Sequence, residues 1–118
     1  MIFYDSTGRA IAYTEDNENI YLYSGVPVAY LYGNLVYNYR GMQLGRFENG
    51  WIRDKKGYCV FFTENAWGIG PVKPVKHVSP VKGLKQIRPL KGIRHLPSLK
   101  PVDRLSWSDI SGERFFMQ

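Results

Sequence analysis

The sequence predicts an all-β fold of four β-hairpin repeats arranged around a pseudo-fourfold axis, followed by an extended, polyproline-II-like tail of basic and aliphatic triplets. Three observations carry that reading. Glycines at 8, 25, 41 and 57 are spaced by 17, 16 and 16 residues, and the residues around them fall into line. The stretches between them are rich in Tyr, Phe, Val and Ile, which suit a pleated, half-buried surface. From Val72 to Leu105 the period changes to three, which suits neither helix nor strand.

Each hairpin is marked by the same positions. Phe3, Ile20, Val36 and Ile52 stand five residues before the glycines, and Ile11, Val28, Leu44 and Val60 three after. Tyr4, Tyr21, Tyr37 and Arg53 stand four before; Tyr13, Tyr30, Arg46 and Phe62 five after. Glycine supplies the positive φ of a tight hairpin turn, and Asp16, Gly33, Asn49 and Asn65 form the connections onward. A lone hairpin is barely stable in water, so the four must share one core. Ala12, Ala29 and Gly45 are small enough for crowded sites near an axis, whereas Phe61 breaks that pattern and plugs the centre or marks a seam. An open meander would leave two unprotected edges.

The tail reads as twelve triplets. Every first position is aliphatic: Val72, Val75, Val78, Val81, Leu84, Ile87, Leu90, Ile93, Leu96, Leu99, Val102 and Leu105. Second positions carry Lys73, Lys76, Lys82, Lys85, Arg88, Lys91, Arg94 and Lys100. Third positions are Pro, Gly, His, Gln or Ser until Arg104 and Trp107. Five prolines, from Pro74 to Pro101, exclude a helix. Polyproline II turns once in three residues and gathers each column onto its own edge. The aliphatic edge is expected to pack on the β body or on another subunit, leaving the cationic edge outward. A left-handed β-helix and a disordered linker are the rival readings of this segment.

The chain therefore divides into a four-hairpin β domain (1–70), the triplet tail (71–107) and a C-terminal segment (108–118), in which Phe115, Phe116 and Met117 join Trp107 in locking the end. Formal net charge is +6, and all of the excess lies in the tail, because residues 1–71 carry slightly more acidic than basic groups. Cys59 is the only cysteine, so no intrachain disulfide forms. Met1 leads directly into Ile2-Phe3-Tyr4 without a signal-like region, and no apolar run approaches membrane-spanning length. A cytoplasmic protein without a membrane partner is the expectation.

YDSTGRAIAY, NGWIRD, VFFTENA, PVKPVK and the closing LSWSDISGERFF together resemble the bacterial four-fold beta-flower family over nearly the whole chain. The resemblance implies four hairpins set as petals. It implies no activity and supplies no catalytic residues. The third petal departs from the pattern, with Gln43 and Arg46 where a more apolar strand is expected.

Enzymatic chemistry finds little footing. His77 and His95 are eighteen residues apart on an extended segment, too far for a metal pair. Cys59 has no obvious activating base nearby in sequence, and Glu15, Asp16, Glu48 and Glu64 read as turn residues. No phosphate-cradling loop, nucleophile elbow or metal-spaced set occurs. No enzyme, cofactor, metal or small-molecule substrate is expected. The expected role is a non-enzymatic binding or assembly module, with a homo-oligomer as one partner class. The alternative is sequence-nonspecific binding of nucleic acid or another polyanion through the basic edge, with petal tyrosines stacking on bases. A monomer trailing a disordered basic tether is the second alternative.

Overall fold

A computed structural model describes residues 1–118. Eight antiparallel strands run in sequence order around a closed barrel: β1 (Ile2–Tyr4), β2 (Ala10–Thr14), β3 (Asn19–Leu22), β4 (Pro27–Tyr32), β5 (Leu35–Tyr37), β6 (Gln43–Glu48), β7 (Trp51–Asp54) and β8 (Cys59–Phe62). The ring closes where Tyr4 of β1 pairs with Phe62 of β8. Closure removes the exposed edges an open meander would leave.

The four hairpins, here called petals 1 to 4, are built alike. Within three of them an Asx side chain shapes the turn. Asp5 Oδ1 accepts from the amides of Thr7 and Arg9, Asn38 Oδ1 from Arg40 and Met42, and Asp54 Oδ1 from Lys56 and Tyr58. Three residues after the Asx comes the repeat glycine at φ near +90°, a conformation that L side chains rarely adopt. Petal 2 has Leu22 in the Asx position and keeps the same turn through the Gly25 N–H to Leu22 carbonyl bond. Register slips at Phe3/Tyr4, Ile20/Tyr21, Val36/Tyr37 and Ile52/Arg53. These bulges recur at the same place in every petal and sharpen the local twist.

The repeat positions define the core. Phe3, Ile20, Val36 and Ile52 are fully buried, and Ala12, Ala29 and Phe61 lie in the same cluster with them. Phe61 makes ring contacts with Phe115 and Phe116, which a 3-10 helix (Gly112–Met117) delivers into this cluster. The space left by small residues is taken by these rings: a Cβ on Gly45 would stand 3.3 Å from Phe115 Cζ. Trp107 rests against Trp51 and Phe62, whereas Met117, expected to help lock the chain end, is exposed.

A second, outer set of aromatics lies across the strand pairs that join one petal to the next. Tyr13 faces Tyr21 and Tyr30 faces Tyr37, with ring centroids 6.0 and 5.9 Å apart. Tyr4 stacks on Phe62 at 5.3 Å where petal 4 meets petal 1. At the remaining seam the paired residues are Arg46 and Arg53.

From Val72 to Arg104 the chain forms neither helix nor strand. It passes the tips of the petals in turn, three triplets to each. The expectation that the aliphatic column packs on the chain's own β body is not met. Val72, Val75 and Val78 at petal 1 are exposed, as are Val81, Leu84 and Ile87 at petal 2, Leu90, Ile93 and Leu96 at petal 3, and Leu99, Val102 and Leu105 at petal 4. Nine of the twelve are more than 90% exposed. The cationic column, expected outward, lies on the body instead.

Candidate functional site

The tail is held by its backbone at intervals of nine residues. At each petal tip one tail carbonyl lies over the repeat glycine: Val75 over Gly8, Leu84 over Gly25, Ile93 over Gly41 and Val102 over Gly57. A Cβ on any of these glycines would come within 1.9–2.2 Å of that oxygen. Two residues further on, a third-column amide donates back to the glycine carbonyl, from His77, Gln86, His95 and Arg104 at 2.8, 2.9, 2.8 and 3.1 Å. The third column also places Pro74, Gly83, Gly92 and Pro101 nine residues apart. The Gly83 and Gly92 amides donate to Tyr23 and Arg40's neighbour Tyr39, both at 2.7 Å, and a Cβ on either glycine would crowd petal backbone. The third column is thus the edge that faces the petals.

The second column lies over the tyrosines and carboxylates. Lys82 Nζ sits 4.5 Å from the Tyr13 ring centroid, Lys91 4.3 Å from Tyr30, Lys85 5.3 Å from Tyr21 and Lys76 5.8 Å from Tyr4. The Arg94 guanidinium lies 3.7 Å over the Tyr32 ring, and Arg88 donates to the Tyr21 hydroxyl. Carboxylates complete the pairing: Glu64 with Lys76, Glu15 with both Lys82 and Lys85, Glu18 with Lys91, Glu48 with Lys100. Lys73 donates to the Ala66 carbonyl. Each of the eight basic residues singled out in the sequence therefore has a partner on the body.

This explains why the aliphatic edge faces away. A segment repeating every three residues has three edges, and seating two of them leaves the remaining one outward. The petal surface offers tyrosine faces and carboxylates, which attract cations and have no use for methyl groups. The long Lys stems cover the rings while their ammonium groups reach the carboxylates. Of the four carboxylates expected at turns, only Asp16 serves a turn, accepting from Glu18 and Asn19 amides, the Asn19 side chain and Thr14. Burial would raise its carboxyl, but those hydrogen bonds more than offset it and hold the group well below the usual range. Glu15 is held down to about 2 by its hydrogen bonds to Lys85 and Lys82.

Around Arg46 and Arg53 the tail changes character. Gln43 Oε1 accepts from both the amide and hydroxyl of Ser98, and Arg46 donates to the Ser98 carbonyl. Gln43 and Arg46, the polar departures in the third petal, are thus a clamp on the tail. Arg53, 4% exposed, donates from Nη1 to the Gly57 and Arg104 carbonyls and from Nη2 to the Ile69 carbonyl, with Asp103 at 3.5 Å. Ile69 precedes the tail and Arg104 nearly ends it, so this one guanidinium ties the two ends of the ribbon together. Beyond it the chain docks on β8, where the Cys59 amide and carbonyl bond Ser106 and Ser108.

His77 and His95 sit at petals 1 and 3, across the ring from each other. Cys59 is buried, and that burial pushes its thiol up to about 11. No three His, Cys, Asp or Glu side chains are gathered where they could hold a metal ion, and no helix is long and apolar enough to cross a membrane. An open groove of about 650 Å³ runs beside Tyr4, Phe47, Asn49 and Trp67, where petal 1 meets the connections that flank petal 4. What the molecule presents most distinctively is the bare aliphatic ribbon.

No curated protein and no solved structure matches the chain. A family model does match, over residues 1–116, and its description is 4-fold beta flower protein. The four petals, their equivalent bulges and the closed eight-stranded ring agree with that description, and the chain belongs to the 4-fold beta flower protein family.

Proposed function

We propose that the protein is a non-enzymatic docking module whose contact surface is the aliphatic ribbon of residues 72–105. The observation that carries this reading is the inverted tail, with cations seated on the body and twelve aliphatics in water. At about 25 cal/mol per Å², the ~1.5–3 kcal/mol gained on burying a Val or Leu corresponds to about 60–120 Å² each. Twelve of them expose on the order of 1,000 Å² of apolar side chain, well above the few hundred typical of a monomer's largest patch. Surface of that size is costly to keep bare and is useful only where something covers it.

The non-enzymatic part of the reading is supported by how the reactive groups are spent. Glu15, Glu18, Glu48 and Glu64 hold lysines, Asp16 shapes a turn, and the one thiol is buried with its ionisation suppressed. The polyanion reading has weaker support, because a phosphate would have to compete with the tyrosines and carboxylates already on each cation.

Retention on a hydrophobic-interaction resin tests the reading. Wild-type protein, loaded dilute enough to be monomeric, is expected to bind, and a variant with Leu84→Ser, Ile87→Ser and Leu90→Ser to elute markedly earlier. At the same dilution its melting temperature should stay within a degree or two of wild type, because within one chain these side chains contact nothing that the fold needs. Equal retention of both proteins would contradict the proposal.

A further inference from the structure

We infer that the occupant of the ribbon is a second copy of this chain, meeting it ribbon to ribbon. The inference rests on the docking reading above and adds what docks. Three geometric facts favour it. First, the ribbon is a ring. An extended segment of thirty-four residues is about 105 Å long at ~3.1 Å per residue, and the perimeter of a body 35 Å across is about 110 Å. The tail therefore encircles the molecule about once, and Arg53 joins its two ends. A partner that covers the whole ribbon must present apolar surface around a matching circle. Another copy carries that circle by construction, and contact between identical patches closes as a symmetric pair.

Second, the spacing suits self-packing. Successive aliphatics are three residues apart, about 9 Å along an extended chain. Apolar side chains touch at about 4 Å, so each gap admits one side chain from a facing ribbon. An identical ribbon shifted by half a triplet places its own Val, Leu and Ile residues in those gaps. Third, the area is right. Burying on the order of 1,000 Å² from each copy gives about 2,000 Å² in all, in the range of stable, specific interfaces.

Charge does not oppose the contact despite the net +6. The tail's cations are turned onto the petals, and five of them have carboxylate partners there. The surface that meets its twin is led by the aliphatic column, with the paired lysines half-exposed along its flank. The same arrangement speaks against a lipid surface, whose anionic head groups are normally met by cations free to reach them.

Sedimentation velocity across the micromolar range, paired with flotation on phosphatidylcholine vesicles, tests this. Wild-type protein is expected to sediment at twice its 13.6 kDa chain mass and to stay off the vesicles. The variant with Leu84→Ser, Ile87→Ser and Leu90→Ser is expected to sediment as a folded monomer with wild-type circular dichroism, its association weakened at least about a thousandfold. A wild-type monomer that floats with the vesicles would overturn the second copy in favour of lipid while leaving the docking reading intact. A wild-type monomer that neither floats nor binds the hydrophobic resin would overturn both. A dimer that survives the triple substitution uses another surface, and that too overturns the inference.

Discussion

Gly25 and Leu84 meet backbone to backbone: a Cβ on Gly25 would lie 1.9 Å from the Leu84 carbonyl oxygen. The Gly25 carbonyl in turn accepts from Gln86 at 2.9 Å. The same contact is made at Gly8, Gly41 and Gly57, so hairpin turn and tail seat are one structure used four times.

Gly25→Ala should therefore damage both. The φ of +96° is unfavourable for alanine, and the methyl must expel the tail. A loss of about 1–3 kcal/mol from backbone strain is expected in urea unfolding, together with new protease cleavage between residues 81 and 89. Gly33→Ala is the control, since Gly33 also has positive φ but nothing within 4 Å. It should lose stability without releasing the tail.

Arg53 closes the ribbon, and its removal should be the most damaging single change outside the core. Arg53→Met strands Asp103 and takes a donor from the carbonyls of Gly57, Ile69 and Arg104. Breaking a buried charged cluster of this kind costs about 3–5 kcal/mol, readable as a shift of the urea midpoint. Arg53→Lys restores the charge but not the fork of donors, and should recover less than half of that loss.

Acid should loosen petal 2 first. The Glu15 carboxyl is lowered from 4.5 to about 2 by Lys85 and Lys82. A depressed folded-state value means that the contribution is complete above the unfolded value and is lost as pH falls from about 4.5 toward 2. In an NMR titration the Glu15 side-chain carbon should move near pH 2, and protection of the Gln86 amide should decline over the same window. In Glu15→Gln that window should vanish. A Glu15 midpoint at its ordinary value would mean the two lysines are not seated there.

The petals were legible because each repeats the same few requirements: a glycine at positive φ, an apolar residue five before it and an aliphatic three after it. The triplet period of the tail was equally plain. Which edge faces the body was not, because the rule that aliphatics go inside is a statement about averages. It fails where the receiving surface is already built of tyrosine faces and carboxylates. Nor does a linear pattern reveal that Glu15 meets Lys85 or Glu18 meets Lys91, pairs far apart in sequence. Two signals were nonetheless present. Pro74, Gly83, Gly92 and Pro101 mark a nine-residue repeat nested in the triplets, one unit per petal. And the tyrosine seam becomes Arg46 and Arg53 where the tail's second column gives up its cations for Pro97 and Asp103. Read together, those substitutions match one surface to the other.

Amide hydrogen exchange along the tail tests the central claim most directly, because each edge of the ribbon leaves a different pattern. With the third column on the petals, the amides of His77, Gly83, Gln86, Gly92, His95 and Arg104 should be protected. Those of Lys76, Lys82, Lys85, Lys91 and Arg94 should exchange close to unfolded-chain rates. Uniform fast exchange from Val72 to Arg104, or protection that does not follow the third column, would contradict it.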